Sequence, residues 1–401
     1  WSKNMKKPEL LAPAGDLNRL KVAILYGADA VFIGGKFFSL RAKANNFSLK
    51  DIEEGVLFAH QHHAKVYVTV NIVPNEDDFK NLSSYLLALD RVNVDAIIVS
   101  SISVLLQAKK LHCRFEVHVS TQHSILNSYA IQFFKNLGAD RVVLARELNI
   151  LEIQQIKKNT TLPLEVFIHG GMCSSFSGRC TLSNAMANRD ANKGGCAHSC
   201  RWSYFLYHEE TPISDKEISF ASTDLMGINY LPQLIDAQID SFKIEGRMKS
   251  IYYIANVVKI YRQFIDFYCQ FKKIDKKQMN YYKKELLKIE SRSLSPVFLN
   301  PHLKNEGILI HQNTNNANQS FIGMILEDSD SYHCAFVEQR NHFTLDTKVE
   351  IIQPNQPNQS VKILQMWDLN DNPLTIARHP QQIIKIQFSK PVKKDAIMRR
   401  K

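Results

Sequence analysis

The stretch L-E-V-F-I-H-G-G-M-C-S-S-F-S-G-R-C-T-L-S-N-A-M-A-N-R-D-A-N-K-G-G-C-A-H-S-C-R, residues 164–201, joins a short apolar run to a glycine-rich loop carrying four cysteines. Residues 164–169 read as a β-strand, so the loop is predicted to spring directly from a strand end. Similar runs occur at 9–12, 30–33, 65–70, 96–99, 115–119, 141–145 and 241–244. Between them lie amphipathic segments such as 17–26, 49–63, 79–92, 124–137 and 150–158. Strict alternation of strand and helix implies a parallel sheet with helical crossovers. Eight such units in about 250 residues fit a closed (β/α)8 TIM-barrel-like domain better than an open sheet. Two further runs, 204–208 and 218–222, are expected to form a hairpin inserted after the seventh strand.

A barrel places its chemistry at the C-terminal strand ends. The ends here carry Asn71, Ser120, Thr121, Gln122, Arg146, Glu147, His169, Glu245 and Arg247, and the cysteine loop leaves from the same rim. One or two polar residues there would serve as caps and turns; so many exceed what capping needs.

The thiols Cys173, Cys180, Cys196 and Cys200 are separated by six, fifteen and three residues. Structural zinc favours tight C-x2-C knuckles on both sides, which these spacings lack. An iron–sulfur cluster takes four thiolates over wider spacings. Free buried thiols are the third reading. Among these the spacing favours the cluster, of 4Fe-4S type, with zinc as the alternative. His198, between the last two cysteines, reads as loop.

The pattern E-x-F-x-x-G-G-M-C-x4-G-x-C-x-L-S from Glu165 resembles the signature of the collagenase-like peptidase family U-32. Further agreements are E-L-L-A-P-A-G at 9–15, Y-G-A-D-A-V at 26–31, S-L-R at 39–41, S-T-Q at 120–122, A-R-E-L at 145–148 and K-I-E-G-R-M-K-S at 243–250. Gly171 stands where serine or alanine is usual, and Lys43 where arginine is frequent. Within the family the likeness is greatest to prephenate-dependent tRNA uridine hydroxylases. That resemblance implies 5-hydroxyuridine formation at the wobble position, an iron–sulfur cluster, and prephenate and tRNA as partners. It also carries the peptidase alternative, and sibling alternatives acting on ribosomal RNA or quinones.

Guanidinium groups grip carboxylates bidentately. Prephenate is a dicarboxylate, so Arg41, Arg146, Arg201 and Arg247 are candidates to hold it. Ion pairing of Arg146 and Arg247 with Glu147 or Glu245 is the structural alternative. The candidate catalytic set is therefore Arg146, Glu147, His169, Glu245 and Arg247, with Arg41, Asn71, Gln122 and Arg201 binding substrate and the four cysteines holding metal. Phe176, Trp202 and Tyr204 flank the loop as candidate stacking surfaces for a base, or as core.

Motifs that would support other chemistry are missing. There is no G-x-S-x-G, no H-E-x-x-H and no Walker loop, and Gly34–Gly35 lacks the rest of a dinucleotide fingerprint. The run His60–His63 reads as a solvated helix end.

The 401 residues carry a formal charge of +11. With lysines concentrated at 272–284 and 390–401, this favours an RNA partner, or a zinc-containing RNA-binding protein if the chain is not an enzyme. No apolar run approaches a membrane span, no signal-peptide pattern opens the chain, and seven cysteines are an odd number, so a reducing cytoplasm is expected. Trp1–Asn4, ahead of Met5, are set aside. We place the catalytic domain at 1–271, a helical connector and polar linker at 272–319, and a small antiparallel β-barrel with a disordered basic tail at 320–401.

Overall fold

Strands β1 (Glu9–Pro13), β2 (Ala30–Gly34), β3 (Lys65–Val70), β4 (Ala96–Val99), β5 (Glu116–Val119), β6 (Arg141–Val143) and β7 (Leu164–Gly170) pair side by side in sequence order, all parallel. The eighth barrel strand, Ser241–Ile244, pairs with both β7 and β1 and closes the ring. The computed structural model describes residues 6–40, 46–213, 217–289, 291–302 and 320–401. Arg41 and Lys43 lie outside the described residues.

The strands are largely apolar because both faces are covered: β2 and the eighth strand are buried at every residue. Their outer faces meet helices whose starts are written locally. Asp16 caps Leu17–Leu25, and capping boxes Ser48/Asp51 and Asn149/Glu152 open Leu49–Gln61 and Ile150–Lys158. Inside the ring, Leu11, Ala30, Phe32, Tyr67, Ala96 and Ile98 form a small apolar cluster.

Below that cluster the interior is ionic. Arg141 Nη1 donates to Glu9 Oε1 at 2.5 Å and to Glu165 Oε2 at 3.2 Å, and Lys243 Nζ donates to Glu165 Oε1 at 2.7 Å. Glu165 is fully buried; burial raises its pKa, but Lys243 and Arg141 outweigh that and hold it below the usual carboxylate range.

Two expectations need correction. Among the described residues the segments 204–208 and 218–222 pair as strands only at the bridge Tyr204–Ile218; the hairpin itself pairs Tyr207–His208 with Thr211–Pro212. A short strand, Asp224–Met226, follows and runs antiparallel to β7. The basic tail is not disordered. Ile397–Arg400 is an inner strand of the C-terminal sheet, between Phe321–Ile325 and Val349–Ile352. Its alternation buries Arg399, whose Nη2 bonds Glu285 Oε2 at 2.6 Å and also Glu350. The positive charges that suggested disorder are partly used to fix the strand.

The C-terminal domain is an antiparallel sheet of seven strands in a nearly closed, barrel-like arrangement, with its own core around Val337, Ile351 and Ile386. It docks on the outer helices. Ile352 and Ile397 join the main hydrophobic core, Tyr26 Oη donates to the Ile352 carbonyl at 2.8 Å, and Lys259 Nζ donates to the Gln353 carbonyl at 2.8 Å. No described helix is long and apolar enough to cross a membrane.

Candidate active site

At the C-terminal strand ends the chain encloses a cavity of about 280 Å³. Its walls come from many parts of the ring: Thr69 and Asn71 at the end of β3, Ser120 and Gln122 after β5, Arg146 after β6, and Lys243 to Arg247 at the eighth strand. The cysteine loop forms the roof. It leaves β7 and reaches the far side, where Val73 N donates to the Asn192 carbonyl at 3.0 Å and Lys193 pairs with Asp78 at 2.7 Å. Val73 follows β3, four strands round from β7, so the loop spans the mouth.

The turn that launches the loop requires glycine. Gly170 has φ +103°, and a Cβ there would run into the Glu245 carbonyl oxygen. Further along, Glu147 accepts hydrogen bonds from the Ser177 backbone N–H at 2.5 Å and the Ser177 hydroxyl at 2.9 Å, fastening the loop to the segment after β6.

All four predicted ligand cysteines line this one cavity, and all are half-buried and outside any disulfide. Burial pushes the Cys200 thiol up, opposed by a hydrogen bond from Ser174 and by Arg201 and reinforced by the neighbouring Cys173 and Cys196. The donor set thus suits a thiolate-bound group in kind and in place. Among the described residues no three His, Cys, Asp or Glu side chains converge to hold a metal ion as they stand.

Arg146, Arg201, Glu245, Arg247, Asn71 and Gln122 all line the cavity. Arg146 Nη1 donates to the Gly171 carbonyl at 3.1 Å, with its guanidinium 5.1 Å from the Phe167 ring centre. Among the described residues it makes no ion pair with Glu147. Arg247 is buried; Nη1 donates to Ser39 Oγ at 2.9 Å and Nη2 to Asn46 Oδ1 at 2.9 Å. Gly34 leaves it room, since a Cβ at Gly34 would strike Nη2.

Glu147 and His169 are not on the cavity wall. Glu147 is the loop fastener described above. His169 is buried behind the wall, its Nδ1 3.1 Å from Tyr261 Oη, and burial pushes it down to about 4. Tyr204 is occupied too: it packs on Phe220 at 5.1 Å and donates to the Ser199 carbonyl at 2.6 Å. Phe176 and Trp202 remain half exposed.

Lys243 was missed in the sequence reading of the site. It reaches the cavity while sitting 4.5 Å from the Phe32 ring centre and bonding Glu165. The available signal was a lysine inside an otherwise apolar strand, S-F-K-I.

A family model described as Peptidase family U32 matches residues 15–308, and one described as Peptidase family U32 C-terminal domain matches 317–399. The chain belongs to peptidase family U32. As a U32 protein it is similar to relatives of differing names. One is the tRNA hydroxylation protein P1 of Bacillus subtilis, 41% identical over 402 residues, covering 98% of this chain and 95% of the relative. The 23S rRNA 5-hydroxycytidine C2501 synthase of Escherichia coli is 40% identical over 262 residues, covering 64% of this chain and 39% of the relative. The collagenase of Porphyromonas gingivalis is 33% identical over 281 residues, covering 66% of this chain and 67% of the relative.

Proposed function

We propose that this U32 protein is an RNA-modifying hydroxylase that forms 5-hydroxyuridine at the wobble position of tRNA, with prephenate as co-substrate and a four-thiolate iron–sulfur cluster. One observation carries the reading: four cysteines and several cationic side chains converge on a single cavity at the barrel mouth. The near full-length similarity to a protein named for tRNA hydroxylation supports it, as does the formal charge of +11 for a polyanionic partner.

Cys173, Cys180, Cys196 and Cys200 would hold the cluster, and their spacing of six, fifteen and three residues supports it over one zinc ion. Bound there, such a group supplies redox or Lewis-acid chemistry. The chain's own residues do the rest. Arg146 offers a planar fork to a carboxylate, and Lys243 adds positive charge to the floor. An anticodon uridine is readily splayed out of its stack, so its C5 edge can enter a small, roofed cavity. The half-exposed Phe176 and Trp202 are placed beside the roof to stack on neighbouring bases.

The test is anaerobic purification with iron and sulfide analysis, followed by reaction with tRNA and prephenate and nucleoside analysis of the product. Iron and sulfide bound in proportion, lost on Cys→Ala at any of the four positions but not at Cys113, Cys269 or Cys334, support the reading. One stoichiometric zinc and no tRNA product would support a zinc-containing RNA-binding protein. Cleavage of collagen-like chains would support the peptidase.

A further inference from the structure

We infer that Gln122 selects uridine over cytidine by presenting only hydrogen-bond donors to the base, an inference that rests on the hydroxylase reading above. The orientation of its amide is fixed by a short chain of bonds that starts at a group of unambiguous polarity. The Leu40 backbone N–H, which can only donate, bonds Asn71 Oδ1 at 3.3 Å. The Asn71 Nδ2 must then face the other way, where it donates to Gln122 Oε1 at 3.3 Å. Ser120 Oγ donates to the same Gln122 oxygen, also at 3.3 Å. With Oε1 held by two donors, Nε2 is left on the opposite side of the amide.

Gln122 is 4% exposed and lines the cavity, and its Nε2 is buried with no hydrogen-bond partner among the described residues. Buried amide nitrogens are rarely left so, which points to a ligand acceptor. Arg146 lies alongside: a Cβ built on Gly178 of the roof would sit 3.7 Å from Arg146 Nη2 and 4.0 Å from Gln122 Cγ. The side-chain nitrogens that Gln122 and Arg146 bring to this part of the wall are donors only. Uracil offers a carbonyl oxygen at C4, whereas cytosine places an amino group there. A donor wall bonds the first and meets the second donor to donor. C4 is the direct neighbour of C5, so the group being read lies one bond from the carbon that reacts.

The polarity can be reversed without touching Gln122. In Asn71→Asp the carboxylate accepts from Leu40 and from Gln122, so the amide is expected to rotate and turn Oε1 into the cavity. Gln122→Glu places an acceptor there directly. The assay uses iron-loaded full-length protein and anticodon stem-loop RNAs carrying uridine or cytidine at the target position, with product measured by mass spectrometry. Wild type is expected to favour uridine, and both variants to lower the uridine-to-cytidine ratio by about tenfold or more. Should the carboxylate variants misfold, Ser120→Ala removes one of the two locks and is expected to relax the same ratio. An unchanged ratio in folded, iron-loaded variants overturns the inference, as does a raised KM for prephenate with the ratio intact, which would place the acceptor on the co-substrate. Wild type that hydroxylates neither RNA overturns the hydroxylase reading itself.

Discussion

Arg146 donates to the carbonyl oxygen of Gly171, tying the guanidinium after the sixth strand to the first residue of the cysteine loop. One side chain thus joins the roof of the cavity to its wall. Its hydrogen-bond partner is a neutral carbonyl, and its ring contact is Phe167.

Because Arg146 is only partly buried and bonds a neutral oxygen, Arg146→Ala is expected to leave the melting temperature nearly unchanged. Loss of a donor acting on the reacting molecule costs about a hundredfold or more in kcat. Arg146→Lys keeps the charge but not the fork, and is expected to lose most of the same activity. Arg247→Ala differs, since it leaves Ser39 and Asn46 without their buried partner and should lower stability by about 1–3 kcal/mol. Kinetics and thermal melts on the same preparations separate the two residues.

The ionic barrel interior makes a second expectation. Glu165→Gln strands Lys243 without its buried carboxylate, while Arg141 keeps Glu9, a loss of about 3 kcal/mol or more. Replacing Lys243 and Glu165 together by Met and Leu is expected to cost less than the sum of Lys243→Met and Glu165→Leu made singly. Denaturant titration of the four proteins reads the coupling; additive losses would show that the pair is not coupled.

Acid sensitivity follows from His169. Burial pushes it down to about 4 against an ordinary value of 6.5, with Asp224 opposing and Lys249 adding to the shift. Between pH 6.5 and 4 the unfolded chain therefore binds a proton that the folded chain refuses. Stability is full above that window and falls as the pH drops through it, by at most about 3 kcal/mol from this residue. His123, pushed down to about 4 by burial and by Arg179, acts in the same window and the same direction. His169→Phe is expected to flatten the pH dependence of Tm between 6.5 and 4 while losing the Tyr261 bond. An equally steep profile would show that another group titrates.

The final strand gives a fourth expectation. Removing residues 397–401 deletes an inner strand of the C-terminal sheet and the buried Arg399, so the domain should unfold. Arg399→Met tests the charge alone: Glu285 and Glu350 lose their buried partner, and a loss of about 3 kcal/mol is expected. A truncated chain that melts like the full-length protein would contradict this.

The barrel was legible because strands covered on both faces read as apolar runs, and eight of them alternate with amphipathic helices. The cavity rim was legible for the same reason, since polar residues abruptly end those runs: Asn71, Gln122, Arg146, Glu245 and Arg247 all line the cavity. Glu147 and His169 share that sequence pattern but not the location, because a strand end fixes height in the barrel and not side-chain direction. Lys243 went the other way: a lysine within a strand run is its local sign, but its ion-pair partner lies 78 residues distant in sequence and leaves none. The last strand was obscured by its arginines: the partners of Arg399, Glu285 and Glu350, come from other elements.

Nucleoside mass spectrometry of tRNA tests most directly whether these residues together hydroxylate RNA. Total tRNA would be compared from cells lacking this gene and from the same cells carrying wild type, Cys173→Ala or Arg146→Ala. The expected result is 5-hydroxyuridine absent without the gene, restored by wild type, and restored by neither variant although both proteins accumulate. Unchanged 5-hydroxyuridine in cells lacking the gene, with no other hydroxylated nucleoside lost, would contradict the account.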